Sequence, residues 1–436
     1  MTETNGETAE STEVMDLLVE SPAAGGESIA RHNGQVVFVS GAIPGETVRA
    51  AITEKKKRML RADVIEVLEP SEFRVPDRRA SLGADGVGGM EYSHVDLAHS
   101  RELKRQAAAD QFTRLGGLDL TPDVLPAARE AAGGSGLDWR TRIQLAVDTT
   151  GRPGMYAARS HTVLPVRELP LAVPALAELG VHHLSLPGLT RIELAAGHQC
   201  GALVAHGQAN PQTLEVLESA LADAPGEWSL LVRSRGAGRN RRGGASGSLL
   251  VLRGTGEVIE TVKGIDRSFR LRADGFWQVH VDAADELSAR VVELTAGSAS
   301  VLDLYCGAGL FSVAIASAHG IPVHGIEGSA PAVESATANA AGLGAEFTVA
   351  RIEQLPELPM ADTVVLDPPR SGAGAAVTGL LGASAAERIV YVSCDGATFA
   401  RDAKALAEHG FRLASTEAHD YFPLTAHTEF VSVLTR

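Results

Sequence analysis

Val301-Leu302-Asp303-Leu304-Tyr305-Cys306-Gly307-Ala308-Gly309 decides how this chain folds. An apolar run ending in a glycine turn reads as a buried strand feeding a helix. The glycines let the backbone approach a ligand at that helix's N-terminus. Strand–helix alternation surrounds the segment. Val301–Tyr305, Val323–Ile326, Thr363–Asp367 and Arg388–Ser393 read as strands, and Ala330–Ala341 and Ala397–His409 as helices. Phe411–Ala418 and Phe430–Leu434 close the sheet. Strands separated by helices predict an α/β domain with a parallel, doubly wound, Rossmann-like sheet.

Three further features fall on the ligand edge of that sheet. Glu327 ends the second strand, about 20 residues after the glycine loop, where an acid can accept hydrogen bonds from both ribose hydroxyls. Asp367-Pro368-Pro369-Arg370 follows the third strand, and its two prolines fix a rigid extended turn. Val390-Tyr391-Val392-Ser393-Cys394-Asp395 sets a thiol at the end of the fourth, facing the crevice where such sheets bind ligands. The loop and Glu327 fit a nicotinamide, a flavin or S-adenosylmethionine. The full G-x-G-x-x-G pattern is missing, which disfavours a dinucleotide. Amino-methylating enzymes need a neutral acceptor for an exocyclic amine at the proline turn. Asp367 beside a separate nucleophile, Cys394, suits chemistry at a ring carbon instead.

The rest of the chain divides by composition. Residues 1–13 read as a disordered acidic tail. Residues 14–73 carry short strands at Val36–Val39, Thr47–Thr53 and Arg61–Leu68, with a turn at Ala42–Gly45, which suggests a small barrel. Lys55-Lys56-Lys57-Arg58 on one turn is either a phosphate contact or a solvated hairpin tip. Residues 74–264 form a central region with a glycine-rich patch, Gly83 to Gly89, a helix-like stretch, Asp96–Leu115, and strand-rich sequence from Leu137. Its loop from Arg233 to Ser248 sets Arg233, Arg235, Arg239, Arg241 and Arg242 among glycines. That loop is either a phosphate contact that orders on binding or a solvated insertion. Residues 265–436 form the catalytic domain.

Bulk properties narrow the class. A length of 436 residues suits two or three domains. No apolar run reaches membrane-spanning length and no signal pattern opens the chain. Cys200, Cys306 and Cys394 make no disulfide framework, which points to a reducing cytoplasm. The formal charge of −15 argues against a generic nucleic-acid binder, although the basic clusters leave room for a local RNA surface.

Taken in order, these motifs resemble the RNA uracil-5 (5-methyluridine) methyltransferases, class I S-adenosylmethionine enzymes. The resemblance covers nearly everything after the tail. Gly34-Gln35-Val36-Val37-Phe38-Val39 and Pro44-Gly45-Glu46 resemble the TRAM domain, an OB-like RNA-binding barrel. Phe276-Trp277-Gln278-Val279 matches the stretch whose glutamine contacts the cofactor, and His427-Thr428-Glu429 closes the series. The resemblance implies Cys394 as nucleophile and Glu429 as proton acceptor. It implies Gln278, Tyr305, Gly307, Glu327 and Asp367 as S-adenosylmethionine contacts. It further implies an RNA substrate, with ribosomal (23S) RNA preferred over transfer RNA because the barrel adds binding surface, and the Asp96–Leu115 helix packed on the catalytic domain. No metal ligand set and no obligate protein partner follow from it.

Two departures stand out. Many relatives hold an iron–sulfur cluster on four cysteines around a Gly-Gly pair and a later proline. Here Gly88-Gly89 is flanked by Val87 and Met90, with Ser81 upstream and Glu168-Leu169-Pro170 later. None of these replaces a thiolate, so the cluster is expected to be absent. Asp395-Gly396 stands where relatives have a proline after the nucleophile, and Gly396 is expected to loosen that turn. The rival reading is a pseudoenzyme that binds RNA without turnover; retention of Cys394, Glu429 and Gln278 argues against it.

Overall fold

The computed structural model describes residues 13–234 and 249–436. Residues 1–12 of the acidic tail, and Arg235, Arg239, Arg241 and Arg242 of the arginine loop, lie outside the described residues. Val14–Pro22 (β1), Ser28–His32 (β2), Gln35–Ser40 (β3), Thr47–Lys56 (β4) and Met59–Glu69 (β5) close into a barrel in the order β1-β2-β3-β5-β4. Met15, Leu17 and Val19, alternate residues of β1, point into a core with Val37, Val39, Val48 and Ala62. This is the two-residue period of a strand with one buried face. Lys57 and Arg58 form the β4–β5 turn, while Lys55 and Lys56 pair with Glu13 and Glu54. Glu13, expected in the tail, is thus tied to the barrel.

Helix α1 (Leu97–Gln111) is capped by Asp96, whose Oδ1 accepts from the amides of Ala98 and His99. It was expected to run to Leu115. Its regular hydrogen bonding ends at Gln111 and the chain passes through one π turn, Phe112–Gly116, before Gly117 at φ 65° stops it. The helix joins all parts of the molecule. Leu103 packs with Ile43, Tyr92 and Val95, whereas Ala108 and Phe112 enter the core of the catalytic sheet. The next segment, Val124–Pro126 (β6), forms the edge strand of that sheet.

The central region is a seven-stranded sheet built from Arg142–Val147 (β7), Pro153–Tyr156 (β8), Val163–Pro165 (β9), Leu189–Gly197 (β10), Cys200–Gly207 (β11), Glu227–Arg233 (β12) and Leu249–Arg253 (β13). Glu257–Val262 (β14) pairs with Arg267–Arg272 (β15) as a separate hairpin. That hairpin straddles the expected 264/265 boundary. The Gly264 break in the sequence is its turn, with Asp266 at φ 47°.

Val301–Leu304 (β16), Val323–Glu327 (β17), Ala345–Val349 (β18), Thr363–Leu366 (β19), Arg388–Ser393 (β20), Arg412–Asp420 (β21) and Glu429–Thr435 (β22) form the catalytic sheet, in the order β18-β17-β16-β19-β20-β22-β21-β6. Strands β16 to β20 are mutually parallel, as expected, and β22 runs antiparallel to both its neighbours. Both faces are covered: Leu302, Leu304, Val364 and Leu366 belong to one core, and Val301, Val365, Val390 and Val392 to the other. Double burial explains why these strands read as continuous apolar runs. The order turns back between β16 and β19, which makes their carboxyl ends the crevice for a ligand.

Lys104 on α1 is the polar rivet between the helix and this sheet. It is fully buried, donates to Asp420 and donates to the carbonyl of Phe422 at 3.1 Å. Burial pulls its ammonium below the usual lysine range, and the Asp420 carboxylate opposes that pull. Lys104→Ala strands a buried carboxylate and is expected to cost about 3–5 kcal/mol in urea unfolding. Removing the solvent-facing partner of Glu102, in Arg105→Ala, is expected to cost less than about 1 kcal/mol.

Candidate active site

The carboxyl ends of β16, β17, β19 and β20 bring the expected residues to one edge. After β16 the chain turns sharply at Tyr305, held at φ 62°, a left-handed conformation rarely adopted by a bulky side chain. Its amide donates to Ile326 O at 2.9 Å, which ties the loop to β17. Gly307 (φ 54°) and Gly309 (φ 88°) follow. A Cβ on Gly309 would approach Ala336 to 3.2 Å, so close helix packing as well as dihedral angle calls for glycine there. Glu327 receives the Gly307 amide on Oε2 at 3.3 Å and the Ser329 amide on Oε1 at 2.7 Å. The carboxylate thus aligns the loop and keeps spare lone pairs for two vicinal hydroxyls.

Two residues that sequence reading missed support this loop. Buried Asp303 accepts from the amide and hydroxyl of Ser312 (3.0 and 2.6 Å), which anchors the helix Leu310–His319 behind the glycines. Asn339 donates to Ala308 O at 3.0 Å and accepts the Arg270 amide at 2.8 Å, fastening the loop to β15. An Asn ten residues into a helix that starts at Ala330 carries no sequence signal for that role. Cys306 packs inward among apolar side chains, and burial pushes its thiol well up.

Asp367 sits at the mouth of β19, with Gln278 Nε2 at 3.5 Å from its Oδ2. Burial, then Asp303, pushes its carboxyl up to about 7. The proline turn after it is locked from behind. Buried Asp402 accepts the Tyr391 hydroxyl (2.7 Å), the Ala373 amide (2.7 Å) and the Gly374 amide (3.1 Å). Gln278 itself is fixed because Thr141 N donates to Val279 O at 2.8 Å and Val281 N to Trp139 O at 3.0 Å. Behind it, Glu130, His280 and Asp282 cluster within 4.8 Å. His280 Nδ1 accepts the Asp282 amide at 3.1 Å, so the ring proton lies on Nε2 and faces Glu130 at 3.4 Å. No hydrogen bond joins that nitrogen to Glu130, and it and both Glu130 carboxylate oxygens are buried without a partner among the described residues.

Cys394 and Glu429, the residues expected as nucleophile and proton acceptor, meet across β20 and β22. Their antiparallel register pairs Ser393 with Phe430, so the next step along it sets Cys394 beside Glu429. Half-buried Cys394 has its thiol pushed up to about 12, by burial first and then by Glu429 and Asp367, with Arg370 opposing. Glu429 is buried, and burial and Asp367 raise it well above the normal carboxyl range while Arg370 again opposes. The turn after Cys394 is not loose. Asp395 Oδ1 caps the helix Gly396–Glu408 at Thr398 N (2.8 Å), and Ser393 Oγ accepts the Asp395 amide at 3.2 Å. A Cβ at Gly396 would come within 2.7 Å of Gln111 Oε1 and 3.2 Å of Phe430, so the glycine marks tight packing.

A doubly wound sheet with a glycine loop, Glu327 and a proline turn on its carboxyl edge defines a class I S-adenosylmethionine-dependent methyltransferase. Family models agree: one described as "TRAM domain" matches residues 9–65, "Methyltransferase domain" residues 296–384, and "tRNA (Uracil-5-)-methyltransferase" residues 345–436. The chain is 36% identical to an RNA methyltransferase of Streptomyces coelicolor described as uncharacterized, over 97% of this chain and 93% of that one. It is 32% identical to the 23S rRNA (uracil(1939)-C(5))-methyltransferase RlmD of Alkalilimnicola ehrlichii, over 97% of each. The crystal structure of the Pyrococcus abyssi tRNA (uracil-54, C5)-methyltransferase, bound to S-adenosyl-L-homocysteine, shares the fold with a TM-score of 0.74 at 23% identity, covering 97% of this chain and all of that one. The chain belongs to the RNA uracil-5 methyltransferase family with an N-terminal TRAM domain.

A thiol with a pKa near 12 is almost wholly protonated at neutral pH, and below 12 its thiolate fraction grows tenfold per pH unit. Alkylation of Cys394 by iodoacetamide, followed by peptide mass spectrometry, is expected to be slow at pH 7.5 and to accelerate steadily up to pH 10. Asp367→Asn removes a charge that raises the thiol, so the variant is expected to alkylate faster than wild type at pH 9. Equal rates would mean that Asp367 does not act on the thiol.

Proposed function

We propose that this protein transfers a methyl group from S-adenosylmethionine to carbon 5 of a specific uridine in RNA, through a covalent Cys394 adduct at carbon 6. The observation that carries the reading is the β20–β22 register, which sets a thiol and a buried carboxyl side by side at the cofactor edge. Gly307, Gly309, Glu327, Gln278, Tyr305 and Asp367 would hold the cofactor. When bound it supplies an electrophilic methyl on a cationic sulfonium. Carbon 5 of uracil is a weak nucleophile. Attack of the Cys394 thiolate on carbon 6 turns it into an enolate able to take the methyl group. Glu429, whose affinity for a proton is raised by burial, then removes the carbon-5 proton, and the thiolate is expelled as the ring double bond re-forms. The uridine must leave its stack to reach an edge this enclosed.

Ribosomal RNA is the favoured substrate. The whole-length relative named for 23S rRNA supports it, and the transfer-RNA enzyme, at 23% identity, supports the fold alone. Three free cysteines and the RNA substrate favour the cytoplasm, and no helix among the described residues is long and apolar enough to cross a membrane.

The family's iron–sulfur cluster does not fit this chain. Val87 and Met90, which flank the Gly-Gly pair, are buried with Leu82, Leu169, Trp139 and Leu424 in one apolar core, and Ser81 faces solvent. Apolar carbon fills the place where thiolates would be needed. Purified protein is expected to contain far less iron than one cluster per chain by elemental analysis; a stoichiometric content would overturn this.

Incubation with labelled S-adenosylmethionine and unmodified 23S rRNA or tRNA transcripts, then nucleoside analysis, tests the reaction. The expected product is 5-methyluridine in ribosomal RNA, abolished in Cys394→Ala. Glu429→Gln is expected to trap a protein–RNA adduct that survives denaturing electrophoresis, because the carbon-5 proton stays in place. Labelled 5-methylcytosine, or no transfer despite cofactor binding, would sink the proposal.

A further inference from the structure

Trp139-Arg140-Thr141, the segment leading into β7, braces the Gln278 turn through isolated backbone bridges, and Arg140 is not itself part of the machinery described above. Its Nε donates to Arg142 O at 2.9 Å, and its guanidinium carbon lies 5.8 Å from the Trp139 ring centroid. Stacking and one backbone contact hold the group in place and leave its two terminal nitrogens without a partner among the described residues. From Trp139 a ladder of rings leads back to the catalytic edge. Trp139 meets Phe422 edge-on at 6.2 Å, and Phe422 meets His427 edge-on at 5.9 Å. His427 Nε2 in turn accepts from Arg370 Nη2 at 3.3 Å.

Arg140 and Arg370 therefore stand at the two ends of one rigid ladder. Neither has a carboxylate within salt-bridge distance among the described residues. Neighbouring arginines differ: Arg61 and Arg159 are spent on Glu27, Arg79 on Asp77 and Arg191 on Glu193. Of the acids on the same cleft, Glu27 and Asp63 are paired with Arg61 and Arg159, and the oxygens of Glu91 accept the amides of Gly89 (3.0 Å) and Ala426 (3.1 Å). Burial and Arg370 hold His427 down to about 4, so between the two cations stands a neutral ring that accepts a hydrogen bond and adds no charge. Arg140 also lines a cleft of about 1170 Å³ between the barrel and the central sheet, with Gly88, Glu91 and Gln144. Arg140 is thus a guanidinium on the cleft wall with no acid to pair with, it feels the charge of Arg370 nearer the catalytic edge, and its planar fork of donors suits phosphate oxygens.

We propose that Arg140 seats a phosphodiester of the RNA near the target nucleotide, fixing the strand where it leaves the cleft for the catalytic edge on which Arg370 stands. The proposal rests on the RNA reading above, and Arg140 acts in it as a binding and positioning residue. A phosphate contact in single-stranded RNA contributes about 0.7 to the slope of log K against log salt.

The test is fluorescence anisotropy with a short uridine-containing single-stranded RNA, titrated over a range of KCl concentrations. Binding of S-adenosylhomocysteine is followed by calorimetry on the same samples. Arg140→Gln is expected to weaken RNA binding and flatten the salt slope by about 0.7. Arg140→Lys is expected to keep most of the slope, and both variants to bind S-adenosylhomocysteine as wild type does. An unchanged slope in Arg140→Gln, joint loss of RNA and S-adenosylhomocysteine binding, or a wild type that binds no RNA would each overturn the proposal. Because the readout is binding, a protein that methylates nothing would refute the proposed reaction while the slope still decides the subsite.

Discussion

The antiparallel insertion of β22 between β20 and β21 is the constraint on which the rest depends. It turns a parallel α/β sheet into one whose last strand starts where the strand leading to Cys394 ends. Register leaves no freedom here: a slip by one residue would carry every side chain of β22 to the opposite face, and Glu429 away from Cys394. The strand is buried from Glu429 to Leu434, so such a slip would also empty two cores. Phe430 fixes the register from the side. It packs edge-on against Phe112 at 5.3 Å, and Phe112 meets Phe399 at 5.7 Å, so the turn after α1 reads the position of the last strand directly. A helix that precedes the central sheet in sequence thereby becomes part of the catalytic body.

That geometry sets the electrostatics. Asp303, Asp367, Glu429 and Cys394 share one enclosed edge, and each is pushed toward its neutral form by burial. Arg370 is the cation that opposes this for both Cys394 and Glu429. A site so balanced is short of positive charge until a cationic sulfonium and a substrate enter it. The pair of carboxyls around Asp367 can then ionise at lower cost, since an opposite charge in a low-dielectric site counts for more than in water. The same logic accounts for the proline turn: Arg370 helps only if its backbone is fixed, and the Asp402–Tyr391 lock behind Ala373 and Gly374 fixes it.

Much of this was legible in the sequence because it is local. The strands of the catalytic sheet announce themselves as short β-branched runs, since both faces are buried, and the glycine loop, Glu327, Asp367 and Cys394 each lie at a strand end. The barrel strands β4 and β5 were legible by alternation and β3 as a short apolar run, but β1 was not. Its run Val14-Met15-Asp16-Leu17-Leu18-Val19 carries Leu18, 63% exposed, on the outer face, which breaks the pattern. Contacts between distant segments left no trace. Lys104 with Asp420, Asn339 with Ala308, and Asp402 with the proline turn are polar residues inside helices, where composition predicts a solvated face. Gly396 misled for the same reason. A glycine after a nucleophile signals freedom when its neighbours are unknown, and Gln111, 285 positions away along the chain, takes that freedom away.

The apolar lobe around the Gly88-Gly89 pair has a structural task of its own. Tyr92 N donates to Leu424 O at 2.9 Å, and Glu91 receives the Ala426 amide at 3.1 Å. The lobe therefore grips the 422–428 loop, which carries His427 and delivers the chain to Glu429. Leu424, fully buried with Met90 and Val87, sits at φ 65°, a conformation that a leucine keeps only when its surroundings over-determine it. Side-chain burial can do so: each of Leu82, Val87 and Met90 removes a whole apolar side chain from water, worth roughly 1.5–3 kcal/mol apiece. Held this way, the loop needs no redox-active group to keep its shape. Where the lobe lines the cleft between barrel and central sheet it does so through Val87, Gly88, Gly89 and Met90, with Glu91 beside them already engaged by the Gly89 and Ala426 amides. Among the arginines lining that cleft, Arg140 is the one whose guanidinium is held by stacking and a backbone carbonyl instead of by an acid, which is why the proposed phosphate contact is assigned to it.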